Sequence, residues 1–229
     1  MDKLFAIPIF PVLLTLLAFR AGVALQKKVR SPLCNPILVA VILILLFQLV
    51  SGMDLKVYQA GNSYISWLLT PATVSLAVTM YEQFQILRKN TGVLLAGVAA
   101  GAISCLGMVL LFGVLVGFGP DMIISLLPKS VTTAIGVPLS EMAGGITPIT
   151  TAAIVVTGIA ASVLGPMLCK RFHLTDDIAQ GAAYGTAGHV VGTSKAMEHS
   201  ALAGAAGSLS LVVAGLLTAV IFPLITSFL

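Results

Sequence analysis

The sequence predicts an all-α integral membrane protein, a multi-span helical bundle with inverted repeats and discontinuous or re-entrant helices. Two observations carry the membrane assignment. Of 229 residues, 58% are hydrophobic and only 9% are charged, with a mean hydropathy of +1.08. A soluble domain carries about 25% charged residues, so lipid must cover part of this surface. Apolar runs of about 20 residues, enough to cross the hydrocarbon core, also recur at 4–25, 33–50, 92–117, 146–169 and 201–228. Lys3 gives the first run the look of a signal peptide. Arg20 and the early Pro8 and Pro11, with no convincing cleavage site after them, favour a retained first helix.

Three further apolar segments are interrupted, and the interruptions predict the discontinuous helices. Segment 64–80 contains Thr70-Pro71-Ala72-Thr73, and 122–143 contains Pro128-Lys129-Ser130-Val131-Thr132-Thr133. Segment 178–199 contains Gly185-Thr186-Ala187-Gly188-His189 and then Gly192-Thr193-Ser194-Lys195. Backbone broken at membrane depth must find its hydrogen bonds inside protein or in a watery cavity. Proline removes a donor and glycine permits unwinding, while Ser and Thr satisfy some of the freed groups. One such break is a kink; three suggest broken helices around a site.

Landmarks repeat at an offset of about 115 residues: Asn35-Pro36-Ile37 with Thr147-Pro148-Ile149, then the breaks at 70–73 and 185–189, then Glu82 and Glu198. The chain therefore reads as one membrane domain, 1–229, with repeat halves at about 31–118 and 119–229. Basic residues cluster at Arg20 to Arg30, at Arg88-Lys89 and at Lys170-Arg171. All three clusters face the cytoplasm if 122–143 enters and leaves on the outer side as a hairpin, with the N-terminus outside and the C-terminus inside. If 122–143 spans instead, Lys170 and Arg171 violate the rule. The basic residues lie in loop anchors, so nucleic acid is not an expected partner.

Lys129 is the most telling residue. An ammonium at membrane depth is costly unless it meets a cavity or a partner. Beside the donors freed by Pro128 and the hydroxyls of Ser130, Thr132 and Thr133, it makes a carboxylate-binding arrangement. The alternative is a lysine snorkelling to the interface. Thr186, His189 and Thr193 form a second cluster, in which His189 is a candidate proton carrier or simply a hydrogen-bonded histidine of the bundle. Thr73 is the first-half counterpart. Lys195 and Glu198 stand at i,i+3 and can neutralise each other. Cys34, Cys105 and Cys169 lack metal-ligand spacing and read as packing residues, as do Gly97 and Gly101. No nucleophile elbow, zinc motif or phosphate loop is present, so neither catalysis nor a metal or cofactor is expected.

At Pro128–Thr133, Gly185–Thr193 and Pro71–Val78 the chain resembles the LrgB/CidB family, over nearly its whole length and in order. Thr79 and Ala134 stand where the family pattern has proline, which leaves local kinks open. The resemblance implies a fold akin to cation/proton antiporters and bile-acid symporters, in a bacterial cytoplasmic membrane. It implies two functions: exchange of small monocarboxylates of the pyruvate, glycolate and glycerate class, or antiholin-like control of murein hydrolases and autolysis. A holin-like LrgA/CidA-type protein is the implied partner, and homodimerisation is left open.

Overall fold

The computed structural model describes residues 9–29, 35–68, 71, 74, 75, 78 and 81–229. It contains two compact units, 1–75 and 76–229, each taken by itself. All regular structure among the described residues is helical. Among the described residues, four helices are long and apolar enough to cross a membrane: Ile9–Val29, Thr91–Val116, Thr147–Arg171 and Ala201–Thr226. Leu, Val and Phe side chains exposed along them, such as Leu17, Leu111, Val156 and Val220, form the surface that lipid covers. The protein is an all-α integral membrane protein.

The first unit comprises α1 (Ile9–Val29), α2 (Pro36–Ser51), α3 (Leu55–Gly61) and α4 (Ser63–Trp67). Asn35 caps α2 by accepting from the Ile37 and Leu38 amides at 2.9 and 3.4 Å, with Pro36 in the first turn. That is where the missing proline N–H costs nothing. Gly52, with φ 67°, ends the helix. The Thr15 hydroxyl of α1 lies 2.7 Å from the Tyr58 hydroxyl and donates to Asn62 Oδ1 at 3.1 Å, tying α1 to α3 through polar groups. Of the sequence-predicted break at 70–73, Thr70, Ala72 and Thr73 lie outside the described residues.

The second unit contains α5 (Phe84–Lys89), α6 (Thr91–Val116), α7 (Pro120–Leu126), a 3₁₀ turn (Leu127–Ser130), α8 (Thr133–Met142), α9 (Thr147–Arg171), α10 (Asp177–His199) and α11 (Ala201–Thr226). Residues 120–146 form a hairpin. Ser125 Oγ accepts from the Ile146 amide at 2.6 Å while donating to the Asp121 carbonyl at 2.6 Å, so α7 lies against the segment that joins α8 to α9. Nearer the tip, a β-carbon on Gly136 would lie 3.1 Å from the Pro128 carbonyl oxygen. The chain turns back at Val131 and Thr132, whose extended backbone separates the 3₁₀ turn from α8. This matches the re-entrant reading of 122–143.

Helix α10 also folds back on itself. Asp177 Oδ1 at its start lies 3.3 Å from His199 Nε2 at its end, and Ser200 Oγ donates to Asp177 Oδ2 at 2.7 Å. A straight helix would hold those ends about 33 Å apart, at 1.5 Å per residue. The reversal sits at His189, whose φ of 42° and ψ of −133° are not helical and are rarely adopted outside glycine. Small residues let the arms approach each other and α11: a β-carbon on Gly192 would clash with the Tyr184 carbonyl oxygen of the other arm, and one on Gly185 with that of Gly207 in α11.

A C-terminus inside requires 178–199 to cross the membrane; here it enters and leaves on one face. Periodicity could not reveal this, because each arm alone is an ordinary helix and only the backbone at His189 reverses the chain. One consequence follows for topology. Helix α11 starts on the Lys170–Arg171 face and ends on the opposite one, where Phe222 packs with Val109 and Ile123. A third crossing would have returned it to the Lys170–Arg171 face.

The second unit thus alternates a long helix with a hairpin: α6 with 120–146, then α9 with 177–199, in inverted directions. The longer repeat of 31–118 with 119–229 runs across both units and includes undescribed residues; it stands as a proposal. If α10 is a hairpin, Asp177→Cys with His199→Cys should form an intramolecular disulfide under mild oxidation. Mass spectrometry identifies the pair, and no such crosslink would form across a straight helix.

Candidate functional site

The two hairpin tips meet halfway along α6. Cys105 stands 14 residues after Thr91 and 11 before Val116, about 21 and 17 Å from the helix ends. Against it sits the 3₁₀ turn, a break with a local cause. Pro128 has a φ of −84° and ψ of 19° and lacks the N–H that would continue α7. Lys129, the next residue, donates from Nζ to Cys105 Sγ at 3.1 Å and to Ser130 Oγ at 3.4 Å; the sulfur and the hydroxyl are 2.9 Å apart. Lys129 is half-buried and Ser130 is buried. The ion pairs among the described residues are Lys195–Glu198 and His199–Asp177, so no described carboxylate pairs with Lys129. A cation at this depth, held by a sulfur and a hydroxyl, is open to an acidic ligand.

From the second hairpin comes Thr186, opposite Gly101: a β-carbon on that glycine would lie 3.1 Å from the threonine methyl. The Thr186 side chain is 7% exposed and its hydroxyl has no hydrogen-bond partner. An unpaired buried hydroxyl costs about 1–3 kcal/mol, and such groups in folded proteins call for an explanation. Cys105, Ser130 and Thr186 together line both a large cavity and a void of about 10 Å³ behind it.

The large cavity holds about 1030 Å³. Its walls are the face of α6 bearing Gly97 and Gly101, the face of α9 bearing Thr157, Ala161 and Leu168, and the first arm of α10 with Tyr184. It runs from Lys129 at mid-depth to Asn90, Phe172 and Asp176, at the ends of α6 and α9 that carry Arg88, Lys89, Lys170 and Arg171. Lys129 is the one cation among the lining residues, and Asp176 the one acid.

Of the residues singled out in the sequence, the structure brings Lys129, Ser130 and Thr186 to this cavity. Thr132 precedes α8 without a side-chain cap bond, and Thr133 is exposed; neither lines the cavity. His189 is buried, with Nε2 3.0 Å from the Ile154 carbonyl oxygen and its ring against Gly158. Thr193 Oγ1 donates to the His189 carbonyl at 2.8 Å. Both hold the tip of the second hairpin and do not line the cavity. Thr73 lies outside the described residues. Lys195 and Glu198 neutralise each other at 2.6 Å. Sequence reasoning missed Cys105 as the partner of Lys129. Its spacing after Gly97 and Gly101, at i+4 and i+8, puts all three on one helix face and is the available signal.

The LrgB-like family model matches residues 15–228. The chain is 34% identical to Holin-like protein CidB of Staphylococcus epidermidis over 216 residues, 93% of each protein. It is also 34% identical to Uncharacterized protein YxaC of Bacillus subtilis (strain 168) over 221 residues, 96% of this chain and 95% of that one. No solved structure matches. With the match running from the first described helix to the end of α11, the chain belongs to the LrgB-like family.

Proposed function

We propose that this chain is a secondary transporter of small monocarboxylates of the pyruvate, glycolate and glycerate class, acting in a bacterial cytoplasmic membrane. The observation that carries the reading is the Lys129 ammonium at mid-depth with no described carboxylate beside it. A substrate carboxylate accepts from Lys129 Nζ, with Ser130 Oγ and Cys105 Sγ beside it, and Thr186 Oγ1 gives the substrate a further polar contact. Arg88, Lys89, Lys170 and Arg171 sit in the last turns of α5 and α9, beside the far end of the cavity, which favours a cytoplasmic setting for that end and an outer one for the end of α11, opposite to the expectation that the C-terminus lies inside. Opposed hairpins that meet at mid-depth suit alternating access around a fixed site. His189, at the second tip, is the proposed carrier of a coupled proton.

A second reading is antiholin-like control of a partner, favoured by the name of the CidB relative. Both readings include a holin-like LrgA/CidA-type partner. Purified protein in proteoliposomes, with and without that partner, separates them: regulation without transport gives stable co-purification and no solute flux.

Lys129→Gln should reduce uptake of labelled pyruvate or glycolate by on the order of 100-fold, since a hydrogen bond to a charge is worth about 1.5–3 kcal/mol, with the melting temperature preserved. Unchanged uptake removes Lys129 from the site. Thr186→Val should weaken uptake about tenfold while leaving stability equal or about 1 kcal/mol higher, because the unpaired hydroxyl is gone. A drop in thermal stability instead would mark that hydroxyl as structural.

A further inference from the structure

The cavity is far larger than a two- or three-carbon acid, and its character changes along its length. One end carries Lys129, Ser130, Cys105 and Thr186, and the mouth carries Asn90 and Asp176. Between them the walls are apolar: Val93, Leu94 and Gly97 from α6, Leu164 and Leu168 from α9, and Ile178 from α10. Along α6 this stretch runs from Cys105 to Asn90, about 22 Å of helix. Gly97 leaves it wide, since a β-carbon there would meet nothing within 4 Å. An ammonium at the deep end of a half-open, largely apolar cleft, with an unpartnered buried hydroxyl beside it, is complementary to an acid with an alkyl tail.

We propose that the site also binds unbranched monocarboxylates of about six to eight carbons, carboxylate on Lys129 and tail along Gly97, Leu164 and Leu168, in competition with the small acids. This rests on the carboxylate seat proposed above and extends it to a second class of ligand. Complete burial of a methylene corresponds to about fourfold in affinity. In a cavity open at one end, about two- to threefold per methylene is expected.

The test is inhibition of labelled-pyruvate counterflow in proteoliposomes by the series from propanoate to octanoate. Alcohols and alkylamines of equal length control for partition into the lipid. The expected result is inhibition strengthening two- to threefold per methylene for the acids alone. Gly97→Leu, and independently Ala183→Leu on the facing arm, should flatten that slope beyond four carbons; if one variant fails to fold, the other gives the same readout. A flat series in the unmodified protein overturns the proposal, as does a slope that is the same in both variants or shared by the alcohols. Pyruvate counterflow that survives Lys129→Gln undiminished sinks the carboxylate seat itself. Counterflow lost in Lys129→Gln, with no length effect in the unmodified protein, sinks only the tail proposal.

Discussion

Backbone and charge at the centre of a bilayer have no water to turn to, so the protein must satisfy them. In this chain the requirement falls on two hairpin tips. The first, at Pro128–Thr132, interrupts its helix because proline withholds a donor; its ammonium is held by Cys105 and Ser130. The second, at His189, forces an unusual backbone angle and settles the ring on the Ile154 carbonyl and Thr193 on the His189 carbonyl. Pairing within and around each tip makes breaks tolerable where lipid would otherwise punish them.

The long helices serve as the frame that these tips meet. Helix α6 places Gly97, Gly101 and Cys105 on one face, so the same rail accepts Thr186 at one level and Lys129 at the next. Helix α9 holds both hairpins: Thr150 pairs with Ser140 of the first at 2.6 Å, and Gly158 admits the His189 ring of the second. Helix α11 packs its small residues against both arms of α10. Bulk at these contacts would separate the tips, and with them the polar end of the cavity. What glycine supplies here is proximity.

The same arrangement divides the polar residues of the unit by role. Ser125, Ser140, Thr150, His189 and Thr193 each find a partner that fixes the hairpins. Thr186 lines the cavity but keeps a buried hydroxyl without a hydrogen-bond partner, and Lys129 has no described carboxylate beside it. A protein built only to fill a membrane gains nothing from such a pair. A protein that binds an acid gains its contacts.

The sequence by itself determined the membrane setting, the long crossing helices, the break at Pro128 and the placing of a lysine at that break, because each depends on local composition: apolar length, a missing proline donor, a charge amid aliphatic residues. It also carried the family. Only the tertiary structure decided that 177–199 turns back, since the ends of α10 reveal themselves by the Asp177–His199 contact and not by periodicity. It likewise decided that Cys105 faces Lys129 across 24 positions of chain, and that Thr186 reaches the cavity while Thr132, Thr133 and His189 do not. Contacts between residues distant in sequence are set by how helices pack, and no single segment encodes them.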